Sequence, residues 1–164
     1  MTTPPTTAPR LNPVLRLLFH APVYLYRWGF GWLFGHRFLL LVHIGRRTDL
    51  RRQAVLEVLE YRQQGPEAIV MSAFGPNANW LRNIEAKPTP EVIIGSHRFA
   101  AVHRFLEANE AIKVLRGYLQ RNRLIAPVVR FVLGRLVGRR FDGSEEHCRL
   151  LVEQLPLIGL RQRS

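Results

Sequence analysis

A chain of 164 residues is one domain by length, and an apolar content of 47% excludes a disordered polymer. A single cysteine, Cys148, excludes an intrachain disulfide. The net charge of +12 calls for a polyanionic partner: nucleic acid, an anionic membrane surface or a polyanionic cofactor.

Residues 1–10 are rich in Thr and Pro and predict a disordered tail ahead of a single domain over 11–164. The tail lacks the charged start and cleavage site of a secretory signal. Pro13 to Gly35 is the most apolar region. Arg16, His20 and Arg27 fall along one helical direction, so a helix with a narrow basic stripe is expected, bent or split at Pro22. Trp28, Phe30, Trp32 and Phe34 then alternate with glycines, as a loop or short extended piece does. Pro22, Arg27, the glycines and His36-Arg37 interrupt every window long enough to span a membrane. The segment reads either as a helix lying on lipid or as a lid packed on the domain.

Arg37 to Ile44 is a continuous apolar run of strand length, ended by Gly45. A basic loop runs from Gly45 to Arg52. Ala54 to Tyr61 suits a strand or a short helix; the short loop before it and the turn Gln63 to Pro66 after it favour a strand. Glu67 to Ser72 is the next strand, which makes an antiparallel meander so far. The stretch from Ser72 to Gly95 then reads as strand end, Gly-Pro loop, short helix, Pro-marked turn and strand. Asn77, after Pro76, predicts the N-cap, Trp80, Leu81 and Ile84 an apolar face, and Lys87-Pro88 the stop. Strands are expected over Glu91 to Ile94 and Arg98 to Phe105, and helices over Glu107 to Asn122, Ile125 to Gly138 and Ser144 to Gln154. Pro156 to Leu160 closes the chain as a last strand. Cys148, inside the final helical pattern, reads as an ordinary buried residue.

Basic residues come as short clusters: Arg46-Arg47, Arg51-Arg52, Arg121 to Arg123 and Arg139-Arg140. No zinc-finger spacing, RNA-binding aromatic signature or helix-turn-helix pattern accompanies them, so nucleic acid is not expected. Gly45-Arg46-Arg47-Thr48 offers a free backbone, two forked guanidiniums and a hydroxyl, with Arg52 close by. That set suits a phosphate oxygen, although a solvated basic turn has the same composition. No Walker pattern, nucleophile elbow or metal-ligand spacing is present, so no metal is expected.

Two segments together resemble the deazaflavin-dependent nitroreductase or quinone reductase family of the split β-barrel flavin-reductase superfamily. RFLLLVHIGRRTDLRR is similar to that family's apolar strand, Gly-Arg-Lys-Ser-Gly turn and further arginine. SAFGPNANWLRNIEAKPTPEVIIG is similar to its Ser-Lys-Gly-Gly loop and Pro-x-Trp-x-x-Asn-Leu-x-Ala-x-Pro helix, with Ser72, Gly75, Trp80, Asn83, Ala86 and Pro88 on matching positions. The chain departs from the pattern where the family lysine is Ala73, one loop glycine is Phe74 and the turn glycine is Asp49.

The resemblance implies an α+β fold: an antiparallel split β-barrel with an N-terminal helix and added C-terminal helices. It implies an oxidoreductase that passes a hydride from the reduced deazaflavin coenzyme F-420 to a quinone, nitro compound or other unsaturated acceptor, with flavin mononucleotide (FMN) as runner-up cofactor. The cofactor contacts it implies are Arg46, Arg47, Thr48 and Arg52 for the polyanionic tail, and Ser72, Ala73, Phe74, Gly75 and Asn77 beside the ring. Trp80 is expected to anchor its helix. No catalytic residue is assigned; Tyr24, Tyr26 and Tyr61 are candidate proton donors. The chain is expected in the cytoplasm or peripherally on the inner face of the membrane, as a monomer or homodimer. The other reading is a non-catalytic split barrel that holds a lipid, flavin-like or tetrapyrrole ligand, which Ala73 favours.

Overall fold

The structure, a computed structural model, describes residues 36–124, 126–138 and 140–163. The expected tail, the helix and loop between Pro13 and Gly35, Tyr24 and Tyr26 lie outside these residues.

Six strands close into an antiparallel barrel: β1 (Phe38–Ile44), β2 (Arg51–Arg62), β3 (Glu67–Met71), β4 (Thr89–Ile94), β5 (His97–Phe105) and β6 (Leu157–Gln162). Around the barrel the order is β1-β2-β3-β6-β5-β4, and β4 pairs back onto β1. The expected meander of the first three strands is present. β2 starts earlier than expected, because Arg51 and Arg52, read from sequence as loop, pair with Ile44 and His43 of β1. Order along the chain hides the place of β6: it fills the gap between β3 and β5.

Alternation along the strands builds two cores. Leu39, Leu41, Val70, Ile94 and Ile158 point into the barrel. Ile69 and Leu157, on the opposite phase, point out to a second core with helices α2 (Ala108–Arg121), α3 (Ala126–Val137) and α4 (Glu145–Gln154). Cys148 is completely buried in this second core, and burial pushes its thiol pKa up, away from the reactive thiolate. Ser144 caps α4, its Oγ accepting from the His147 N–H at 3.3 Å. Tyr118 ties α2 to β2 by donating to Glu57 Oε1 at 2.6 Å.

Helix α1 (Asn79–Ala86) caps the barrel interior with Trp80, Leu81 and Ile84, as the sequence predicts. Its N-terminus differs from expectation. Pro76 opens a separate 3-10 turn, Gly75–Asn77, so the helix starts two residues beyond Asn77. Ala78 is the capping residue and makes no side-chain cap, which leaves the Asn77 side chain free for the cleft described below.

The outer face of β3 carries an ionic knot. Glu67, with its side chain 2% exposed, accepts from Arg104 Nε at 2.6 Å, Arg104 Nη2 at 3.0 Å and Arg62 Nη1 at 3.1 Å. Glu110 of α2 accepts from both arginines at 2.7 Å. The knot joins β2, β3, β5 and α2. Arg104 and Arg62 hold the Glu110 carboxyl down to about 2, against the opposing effect of burial.

Candidate functional site

The site begins where β1 ends. Gly45 donates its N–H to Leu50 O and accepts from the Asp49 N–H, both at 2.9 Å, folding the loop back on itself. A β-carbon at Gly45 would stand 2.6 Å from Thr48 Oγ1, so only glycine leaves the threonine its place. Asp49, at the position of the family's turn glycine, has φ of 57°, a left-handed conformation that Asp tolerates better than most residues. Its carboxylate pairs with the Lys87 ammonium just beyond α1.

Helix α1 meets this loop with two amides one turn apart. Arg46 Nη1 donates to Asn83 Oδ1 at 3.0 Å and to Asn79 Oδ1 at 3.3 Å, and the Arg46 N–H donates to Asn83 Oδ1 at 3.1 Å. These neutral partners orient the guanidinium without cancelling its charge. Among the described residues no carboxylate pairs with Arg46, Arg47 or Arg52, and the loop's own acid is engaged by Lys87. Three positive charges therefore face one space.

That space is a cleft of about 650 Å³, a usual size for a cofactor or small ligand. Gly45, Arg46, Arg47, Thr48 and Arg52 line one side, and Phe74, Asn77, Asn79, Trp80 and Asn83 the other. Phe74 is 53% exposed, an apolar ring left in solvent at the rim. Trp80 is buried in the inner core, as expected, and also forms cleft wall.

Six of the nine residues singled out from sequence thus meet here: Arg46, Arg47, Thr48, Arg52, Phe74 and Asn77. Ser72, Ala73 and Gly75 do not line the cleft. Ser72 is fully buried; its Oγ donates to Gly75 O at 2.6 Å, and its N–H donates to Pro156 O at 3.0 Å. Gly75, with φ of 68°, turns the chain, and a β-carbon there would come 3.3 Å from Gln154 O. Tyr61 stacks on His36, ring centroids 4.5 Å apart, away from the cleft.

Sequence reasoning missed His43, Gln53, Asn79 and Asn83 as cleft residues. The signal was available for three of them. Asn79 and Asn83 sit four apart on a short helix, on a face the apolar residues do not use. His43 shares the inward phase of Leu39 and Leu41. Asn83 is 4% exposed and both of its polar atoms are committed. Since Oδ1 accepts from Arg46, Nδ2 is the donor to His43 Nδ1 at 3.0 Å. The neutral His43 ring therefore carries its proton on Nε2. Burial and then the Arg52 charge push the His43 pKa down, which keeps it neutral.

Among the described residues no three His, Cys, Asp or Glu side chains are grouped to hold a metal ion, and no helix is long and apolar enough to cross a membrane.

A closed six-stranded antiparallel barrel with helices packed outside it is a fold shared with solved split-barrel reductases. The chain belongs to the F420H(2)-dependent quinone reductase family, whose model matches residues 28–124. It is accordingly an oxidoreductase that uses the deazaflavin F420 to reduce quinones. Among solved structures, an F420-H2 dependent reductase (FDR-A) is 15% identical with a TM-score of 0.50, over 77% of this chain and 96% of that one. Another, described as a domain-swapped dimer, is 13% identical with a TM-score of 0.50, over 85% and 99%. At such identities the likeness is one of fold. A comparison with curated proteins finds no match.

The residues of the cleft fit the family's coenzyme. Guanidiniums without a carboxylate partner among the described residues and a threonine hydroxyl suit its anionic tail, and Gly45 leaves Thr48 its place beside them. Phe74 and Trp80 supply apolar surface for a flat ring.

Proposed function

We propose that the cleft between the Gly45 loop and α1 is the coenzyme site, with Arg46, Arg47, Thr48 and Arg52 holding the anionic tail, and Phe74 and Asn77 bordering the ring. The observation that carries this is the set of three guanidiniums turned to one cleft with no carboxylate among the described residues to balance them. Charges left unpaired in this way favour an anionic ligand strongly once water is displaced. When bound, the coenzyme supplies the hydride that reduces the acceptor.

The chain's own residues have other tasks. Asn79 and Asn83 hold the Arg46 fork in place before anything binds, so less ordering is needed on association. Phe74 and Trp80 keep water from the ring side. His43 Nε2–H is a donor without a partner among the described residues, suited to an oxygen in the cleft. Ser72 and Gly75 shape the loop that carries Phe74 and Asn77 rather than touch the ligand.

The acceptor is a quinone in this reading, with nitro compounds as alternative acceptors. Contact with a membrane, where greasy quinones reside, belongs to the same proposal through residues 13–35. Fluorescence titration of F420 into the protein tests the site directly. Saturable binding that weakens with salt is expected, followed by oxidation of the reduced coenzyme on addition of menadione. No binding at micromolar coenzyme would overturn the assignment, and preferential binding of FMN would change the cofactor.

A further inference from the structure

Helix α3 is apolar on two sides. Val129, Leu133 and Leu136 pack toward the second core. On the outside, Leu124, Val128 and Phe131 are 92%, 64% and 71% exposed. Val128 and Phe131 are three residues apart on one face of the helix, and Leu124 lies in the turn that precedes it. Large apolar side chains grouped on an exposed helix face mark a surface that something covers.

Beside this face runs an open groove of about 600 Å³. Arg130, Arg135 and Arg140 line it, and among the described residues none of them pairs with a carboxylate. Gly134 and Gly138 leave its floor without side chains. The one acid in the groove, Asp142, is already engaged: it accepts from the Ser144 N–H at 2.8 Å and bonds His147 Nδ1 at 2.6 Å. Greasy side chains flanked by unpaired arginines are what the boundary between acyl chains and anionic headgroups selects. A protein partner with an acidic rim would match the charge of the arginines alone, and it is an outcome the test below separates. The excess of 24 basic over 12 acidic residues favours the lipid further, since the whole molecule is drawn to such a surface.

We propose that α3 docks the protein on an anionic phospholipid surface, with Leu124, Val128 and Phe131 entering the interface and Arg130, Arg135 and Arg140 contacting headgroup phosphates. This adds a surface to the membrane contact proposed above. It does not depend on the coenzyme, so failure of F420 to bind leaves it standing.

The test is co-sedimentation of the full chain with vesicles of mixed phosphatidylcholine and phosphatidylglycerol, and with phosphatidylcholine alone. The wild-type chain should partition onto the mixed vesicles and only weakly onto the neutral ones. Val128→Ser with Phe131→Ser should lower partitioning about tenfold. Arg130→Gln with Arg135→Gln should lower it by a similar factor and flatten its salt dependence. These side chains are exposed, and an unchanged far-ultraviolet dichroism and thermal midpoint would show that the fold is intact. All variants keep residues 1–35, so a loss is assigned to α3. Equal partitioning of wild type and variants would overturn the proposal, as would equal binding to neutral vesicles. It would also be overturned if the wild-type chain ignored vesicles while the apolar variant turned a dimer into a monomer on size exclusion, which would make the occupant of α3 a second copy.

Discussion

Gly159 leaves the space that the Glu67 carboxylate fills: a β-carbon on Gly159 would stand 2.5 Å from Glu67 Oε1. Gly159 lies opposite Arg104 on β5 and opposite Ile69 on β3, at the centre of the ionic knot. Gly159→Ala should therefore push the carboxylate off its arginines. We expect a loss of about 1–3 kcal/mol in urea unfolding. In a Glu67→Ala background the same substitution should lose most of its effect, because the atom it strikes is gone. Equal penalties in both backgrounds would separate the glycine from the knot.

The knot also sets the response to acid. Hydrogen bonds from Arg104 lead the causes that hold both Glu67 and Glu110 below the ordinary carboxylate range, Glu110 at about 2. Carboxylates lowered on folding stabilise the native state above their unfolded pKa of about 4.3. That contribution is lost as pH falls through the folded values. Chemical denaturation should show a midpoint that declines steadily from about pH 4.5 toward pH 2. Glu67→Gln should be less stable at neutral pH, with unbalanced arginines, and flatter in acid. An unaltered acid slope would exclude Glu67 as its source.

His43 is held neutral by its surroundings, and Asn83 fixes its tautomer. Protonation would place an N–H against the Asn83 amide donor. Asn83→Asp replaces that donor with an acceptor carboxylate and should raise the His43 pKa above its present value. Imidazole nitrogen shifts read by NMR would report both the pKa and the proton on Nε2. The sign for stability follows: a histidine lowered on folding makes the wild-type protein lose stability as pH falls below about 6.5. A His43 pKa unmoved by Asn83→Asp would contradict the assigned contact.

Arg46→Ala with Arg47→Ala removes two of the three unbalanced charges. Coenzyme affinity should fall about a hundredfold at low salt, at roughly 1.5 kcal/mol for each charged contact, and the salt dependence of what remains should be shallower. Asn83→Ala should weaken binding less, since it frees Arg46 without removing it. Full affinity in the double variant would move the anionic tail to another surface.

Much of the fold is written in local pattern. The apolar run before Gly45 and the Trp80-Leu81-Ile84 face each state their element without help from distant residues, and β2 does so once the loop and turn beside it are counted. Long-range pairing is another matter. Nothing near Leu157 announces that β6 enters between β3 and β5, because strand order depends on partners far along the chain. The same limit governed the site. Arg46 and Thr48 are legible as a local cluster, whereas His43 and Asn83 matter because β1 and α1 bring them within 3.0 Å across forty positions. Ser72 shows the reverse limit: a residue on the family motif reads as a ligand contact, while its hydroxyl bonds Gly75 O within the loop. Asn77 failed as a cap for a local reason, since Pro76 starts a turn of its own.

The position of β6 has a consequence for the order of events during synthesis. β3 and β5 both wait for it, and three helices intervene between β5 and β6. Until β6 emerges, the nascent chain holds two unpaired strand edges and an open inner core. The slot fits the β6 of a neighbouring chain on the same polysome as well as its own, since both carry Gly159 at the same register. Crowded translation should therefore favour exchange between copies, while dilute refolding should return the closed single-chain barrel.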